Sequence, residues 1–353
     1  MVTSIFKYEK PFRLESGKTL PGFHLAYTSH GSLSGDRDNV VWIFHALTAN
    51  SNPLEWWPGL VGEGRYFDPA RHFIICVNKP GSPYGSISPV SKNPESGEAY
   101  GPDFPVFTIR DMIRAYQHLK DHLGITSIHV GLGGSTGGMQ LLEWAILEPE
   151  LFQHIVPIAT NAVLSPWGIA FNATQRMAIE SDATWQQSHA EAGQKGLAAA
   201  RAIALLSYRY YNGYAITQRR DKAFVPIAEE VQYAADNYQR YQGKKLVNRF
   251  NALCYYRLTQ SMDSHDTGRN RHSVEAALKS IQARALVIGI TSDVLYPIVE
   301  QEFLQTHIPG ATLLKISSDY GHDGFLLEYE KIETALKEFI DDRKKNYLKI
   351  VNE

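Results

Sequence analysis

At 353 residues, 44% of them hydrophobic and 20% charged, the chain has the composition of a folded protein with a large core, which excludes a disordered or fibrous one. Its 35 Lys and Arg against 37 Asp and Glu leave a formal charge of −2, so there is no basic field to attract nucleic acid or an anionic lipid surface. The two cysteines, Cys76 and Cys254, lie far apart and outside any C-x-x-C pair, which argues against a disulfide framework or a zinc knuckle and for a reducing compartment.

The opening "MVTSIFKYEKPFRLESGK" lacks the apolar stretch of a signal peptide, and no run approaches the length of a membrane span, so the cytoplasm is the expected location. Next, "FRLESGKTLPGFHLAYTSHG" predicts two strands around a Gly-Lys turn. The segment 39–48, "NVVWIFHALT", is apolar on both faces, as a buried parallel strand is, and 72–79, "HFIICVNK", repeats the type. In "TIRDMIRAYQHLKDHLGI" the apolar residues Ile109, Met112, Ile113, Tyr116, Leu119 and Leu123 recur at helical spacing before a stop at Gly124. A strand "SIHVGLGG", a helix "MQLLEWAILEP" and a strand "HIVPIAT" follow. Strands alternating with helices predict an α/β fold around a mostly parallel sheet.

From 166 to 281 the pattern changes. "GLAAARAIALLSYRYY", "IAEEVQYAADNYQRYQGKKLVNRF" and "NALCYYRLTQSMD" all read as helices, rich in Ala and Tyr. The alternation then resumes with strand "ARALVIGI", helix "VEQEFLQTHI", strand "ATLLKIS" and a terminal helix "YEKIETALKEFIDDRKKN". This order predicts a helical lid, 166–281, inserted into a core made of 1–165 and 282–353.

Five glycines crowd around one serine in "IHVGLGGSTGGMQLLEWAI". Gly133-Gly134-Ser135-Thr136-Gly137 fits G-x-S-x-G between a strand and a helix, where the turn is too tight for side chains on either flank and exposes a serine hydroxyl at a helix N-terminus. A serine nucleophile needs a base and an orienting acid, which follow it in this architecture in the order acid, then His. Asp293, in "TSDVLYP", and His322, in "YGHDGF", each come just past the carboxyl end of a predicted strand, where loops converge on a site. The competing cluster, His265 with Asp263 or Asp266, lies inside the helical insert and reads as structural. The turn "FHALTAN" offers the Leu47 N–H as one oxyanion donor and the Thr136 N–H as the other, with His45 as a packed, hydrogen-bonded support. No H-E-x-x-H, phosphate-binding loop or dinucleotide fingerprint is present, so neither a metal nor a cofactor is expected.

Together, "HALTAN", "WWPGLVGEGRYFD", "NPESGEAYGPDFP", "GGSTGGMQLLEW", "ARAIALLSYR", "YQGKKLVNRFNALCY", "SHDTGR", "ITSDVLYP" and "YGHDGFLLE" resemble the homoserine O-acetyltransferase family, spread in order over nearly the whole chain. The resemblance implies an α/β-hydrolase fold, with Ser135 as nucleophile, Asp293 and His322 as its partners, and Arg201 and Asp323 as homoserine-binding residues. On residue type alone, Arg209 and Arg257 are as plausible as Arg201. The chain departs from the family at Thr136, where Met is common, and in the loop "PGSPYGSISP". The implied activity is acetyl transfer from acetyl-CoA, a substrate and not a cofactor, to the γ-hydroxyl of L-homoserine in methionine synthesis, by a homodimer joined through the lid. A succinyl donor, a serine acceptor, and a serine esterase using water are the alternatives.

Overall fold

The computed structural model describes residues 2–187, 189, 191–220, 225–227 and 230–341. Its strands are β1 (Val2–Tyr8), β2 (Phe12–Arg13), β3 (Thr19–Leu20), β4 (Phe23–His30), β5 (Val40–Phe44), β6 (Phe73–Val77), β7 (Ile128–Gly134), β8 (Phe152–Ile158), β9 (Val225–Ile227), β10 (Glu230–Gln232), β11 (Arg284–Ile290) and β12 (Thr312–Ile316). The helices are α1 (Pro53–Trp56), α2 (Ile109–His122), α3 (Thr136–Leu147), α4 (Pro166–Glu180), α5 (Gln194–Tyr208), α6 (Tyr211–Thr217), α7 (Ala234–Val247), α8 (Ala252–Asp263), α9 (Val274–Lys279), α10 (Ile298–His307), α11 (Gly324–Leu327) and α12 (Tyr329–Leu336).

Eight strands form the main sheet, in the order β1-β4-β6-β5-β7-β8-β11-β12. From β6 to β12 neighbours run parallel, while β4 pairs antiparallel with both β1 and β6. The strands read as continuous apolar runs are the interior ones because both of their faces are covered. In β5, Trp42 and Phe44 join the core on the face of α2 and α3, where Trp42 meets Trp144 edge to face at 4.8 Å. Val41 and Ile43 join the opposite core with Phe325 and Leu336. Each such side chain contributes about 1.5–3 kcal/mol by leaving water. Helix α2 starts where the sequence supplies a capping box: the Thr108 side chain accepts from the Asp111 N–H, and the Asp111 side chain accepts from the Thr108 N–H.

Three details differ from the sequence reading. The first strand, β1, falls in a segment given no element. It pairs along its whole length with β4 at the sheet edge, where one covered face leaves only a weak apolar signal. The helix expected from residue 227 begins at Ala234, because Val225–Ile227 and Glu230–Gln232 pair as an antiparallel ribbon that overrides local helix propensity. The terminal helix α12 ends at Leu336 and passes into a wider turn, Lys337–Asp341. The remainder of that expected helix lies outside the described residues.

The strand order sets where a site forms. After β5 the chain moves to one side, to β6, and then crosses to β7 on the other side of β5. Loops leaving the carboxyl ends of β5 and β7 diverge there and open a crevice. Helices α4 to α8 come between β8 and β11 in the chain. Both cysteines are buried and free. No helix among the described residues is long and apolar enough to cross a membrane.

Candidate active site

Ser135 sits between β7 and α3 with φ 57° and ψ −126°, a backbone conformation that side-chain-bearing residues rarely adopt. The turn is held rigidly. The Ser135 N–H donates to the Ile158 carbonyl at 2.9 Å, and its own carbonyl accepts from the Gly138 N–H at 2.9 Å and the Thr160 hydroxyl at 2.8 Å. The flanking glycines are explained by proximity. A Cβ on Gly133 would stand 2.5 Å from the Gly137 backbone, and one on Gly137 would stand 2.1 Å from the Phe44 carbonyl oxygen. Gly137→Ala is therefore expected to cost about 3 kcal/mol or more, read as a lowered denaturant midpoint, since the obstacle is backbone and cannot rotate away.

Asp293 and His322, which the sequence places on separate strand ends, are in direct contact. Residues 293 and 322 follow β11 and β12, neighbouring parallel strands, so their loops emerge side by side. His322 Nδ1 donates to Asp293 Oδ2 at 2.6 Å, and both residues are buried. Asp293 Oδ1 accepts from the N–H groups of Leu295 at 2.8 Å and Tyr296 at 3.0 Å, so both oxygens are fixed. This arrangement puts the imidazole proton on Nδ1 and leaves Nε2 as an acceptor.

The ring of His322 lies among Tyr208, Tyr296 and Phe325, at centroid distances of 5.6, 5.2 and 5.2 Å. Two of these also adjoin the serine turn. Phe325 fills the space where a Gly134 Cβ would stand, and the Tyr296 phenol faces the Ser135 side chain. Burial first, then Tyr208 and Asp293, push the Tyr296 phenol well above its ordinary pKa, so it stays neutral. Ser135 and His322 thus share one aromatic enclosure.

Two of the remaining expected residues adjoin it, Arg201 through Tyr208 and Asp323 as the neighbour of His322. Leu47 and Thr136 are buried. Thr136 is the first residue of α3, so its N–H has no intrahelical acceptor. Arg201, on α5, stacks its guanidinium over Tyr208 at 5.5 Å, and among the described residues no carboxylate lies within 4 Å of it. Asp323 follows His322 directly, and its Oδ2 is bound by Arg209 Nη1, whose guanidinium also donates to the Tyr238 hydroxyl at 2.9 Å. Arg257 donates to the Pro102 carbonyl and the Gln260 side chain. Of the three arginines indistinguishable by residue type, Arg201 is therefore the one without an acidic or hydrogen-bonding partner among the described residues. His45 is buried, with Nδ1 donating to the Ala46 carbonyl at 2.8 Å and Nε2 accepting from the Lys79 N–H at 3.2 Å. His265 is buried 2.8 Å from the Asn161 carbonyl, and burial lowers its pKa to about 4. No group of three or more His, Cys, Asp or Glu among the described residues is arranged to hold a metal ion.

Sequence reasoning missed Tyr208, Tyr296 and Lys79, and left Arg209 undistinguished from Arg201. Tyr296 had a signal: it follows Asp293 at the spacing of an Asp side chain that accepts from the N–H groups two and three residues on.

The profile of the alpha/beta hydrolase fold matches residues 39–329. A homoserine O-acetyltransferase of Cyclobacterium marinum is 45% identical over 339 residues, covering 96% of this chain and 95% of that protein. One of Chlorobaculum parvum is 44% identical over 340 residues, covering 96% and 94%. Among solved structures, a homoserine O-acetyltransferase from Bacillus anthracis matches with a TM-score of 0.88 at 24% identity, over 98% of this chain and 99% of that one, a likeness of fold. Identity at this level, sustained from one end of the chain to the other, means that the chain belongs to the homoserine O-acetyltransferase family, enzymes built on the α/β-hydrolase fold.

Proposed function

We propose that the chain transfers an acetyl group from acetyl-CoA to the γ-hydroxyl of L-homoserine through an acetyl-Ser135 intermediate, as a step of methionine synthesis. The observation that carries this reading is the His322–Asp293 hydrogen bond of 2.6 Å, inside the enclosure that also holds the strained Ser135 turn. The names of the full-length relatives supply the acceptor.

In the first half-reaction Ser135 Oγ attacks the thioester carbonyl and its proton passes to His322 Nε2, while Asp293 stabilises the imidazolium. The N–H groups of Leu47 and Thr136 hold the oxyanion, each such donor contributing about 2.7–4 kcal/mol. The intermediate collapses, the C–S bond breaks, and the thiol leaves with the proton from His322. In the second half the γ-hydroxyl gives its proton to His322 and attacks the acetyl carbonyl; the bond from the acetyl carbon to Ser135 Oγ then breaks, and His322 returns the proton to that oxygen. Water competes for the acyl-serine, so orientation must decide the outcome. Arg201, without a carboxylate of its own, takes the α-carboxylate. Asp323 takes the α-ammonium through the oxygen that Arg209 does not engage.

The helical segment 166–281 acts as a lid that restricts water and forms the passage for the pantetheine arm. Its exposed Trp167, Ile169 and Met177 on α4, with Leu206 on α5 and Ile216 on α6, provide the apolar surface for a homodimer. Free buried cysteines fit a cytoplasmic enzyme.

The test follows thiol release from acetyl-CoA with and without L-homoserine. Release that depends on homoserine supports the reading, and ready hydrolysis of simple esters without that dependence replaces it with a serine esterase. Parallel runs with succinyl-CoA and L-serine fix donor and acceptor, since one methylene is worth only about 1–3 kcal/mol in a pocket. Arg201→Ala is expected to raise KM for homoserine roughly 10- to 100-fold, the worth of a charge-assisted pair, while the acylation burst stays unchanged. An unchanged KM removes Arg201 from the acceptor site.

A further inference from the structure

Lys79, just past the end of β6, is only 2% exposed. Its Nζ donates to the His45 carbonyl at 2.9 Å and to Thr136 Oγ1 at 2.9 Å. Its backbone N–H donates to His45 Nε2 at 3.2 Å. Among the described residues no carboxylate pairs with it. Burying a cation on neutral acceptors is costly, and an unbranched apolar side chain would fill the same volume without that cost. Packing gives no reason for the charge. Its partners do, because His45 stands two residues before Leu47 and Thr136 directly follows Ser135.

We propose that Lys79 is a positioning residue for the oxyanion hole: its Nζ ties the loop that presents the Leu47 N–H to the residue that presents the Thr136 N–H, and its charge adds to the field at the developing oxyanion. The inference rests on the acyl-serine reading of the site. The network is built from three elements, the β5 loop, the end of β6 and the head of α3, so the two donors cannot drift apart independently. Preorganised dipoles of this kind act most strongly where water is excluded.

Burial pulls the Lys79 ammonium down to about 7, opposed by the nearby Cys76 thiol. The groups facing it are His45 from the β5 loop, Cys76 on β6 and Thr136 on α3. Burial, reinforced by Lys79, holds His45 well below its ordinary pKa, and burial pushes the Cys76 thiol up, so neither carries charge near neutrality. The lysine therefore loses its proton, and its contribution to the field, as pH rises through about 7.

The experiment measures the acylation burst with p-nitrophenyl acetate from mildly acidic to alkaline pH. Wild type is compared with Lys79→Met, Thr136→Val and the double variant. The wild-type acylation constant is expected to fall through a limb near pH 7. Lys79→Met should lose that limb and acylate roughly 10- to 100-fold more slowly at its acid side, with KM for homoserine unchanged. Thr136→Val should act in the same direction, and the double variant should be no slower than Lys79→Met, because the two remove one interaction. Folding of Lys79→Met is read from its unfolding midpoint. It should exceed wild type at neutral pH by a margin that shrinks as pH rises toward the ordinary lysine value of about 10.4, where the unfolded chain also gives up the proton. A Lys79→Met burst with wild-type rate and limb overturns the inference alone, as does a slower variant that keeps the limb. Release of p-nitrophenol by Ser135→Ala at the wild-type rate overturns the acyl-serine reading itself.

Discussion

Ser135→Ala is expected to abolish uptake of an acetyl group: intact-protein mass spectrometry after incubation with acetyl-CoA shows no acetyl increment, and turnover falls on the order of 10⁴-fold or more. Neighbouring hydroxyls at the junction of β7 and α3 are already engaged, that of Thr136 by Lys79 and that of Thr160 by the Ser135 carbonyl. An undiminished adduct would move the nucleophile elsewhere. Ser135→Gly separates chemistry from conformation. It loses the same activity, yet should gain on the order of 1 kcal/mol in stability over Ser135→Ala, because φ 57° with ψ −126° strains any residue with a side chain and not glycine. Equal stability of the two variants would mean that the turn stores no strain.

Asp293→Asn is expected to lower kcat by about 10⁴-fold while the fold and the KM for homoserine change little. An asparagine can still accept the Leu295 and Tyr296 N–H groups through Oδ1, so the loop after β11 keeps its shape. Its amide, placed where Oδ2 now stands, offers hydrogens to His322 Nδ1. The imidazole proton then moves to Nε2, and the ring has no lone pair to receive the serine proton. A loss below about 10-fold, with near-ultraviolet dichroism unchanged, would show that Asp293 does not set the tautomer.

Much of this molecule was legible before any coordinates. The strands β5, β7, β8 and β11 announce themselves because burial on both faces leaves uninterrupted apolar runs. The serine turn is legible because its geometry tolerates so few residues. Asp293 and His322 are legible by their places after strands, although their contact is a property of the sheet order alone. The arginines were not separable by sequence. Arg201 lies midway along α5 and Arg209 caps its end, and only the fold gives Arg209 to Asp323 and Arg201 to an aromatic face. Lys79 was hidden for a related reason: its partners are a carbonyl and a hydroxyl contributed by residues remote in sequence, which leave no mark in the local pattern.

The last two strands of the main sheet contribute the acid and the imidazole, and they dock beside β8 only after the whole helical insertion has been traversed. Because a ribosome delivers the chain from its amino end, the proposed nucleophile Ser135 comes out long before His322, its proposed base. On the proposed mechanism the nascent enzyme is chemically silent until its final quarter has emerged and joined the edge. Loss of that quarter by nicking would take away both proposed partners of Ser135 together with β11, β12 and the core they share with Phe325 and Leu336.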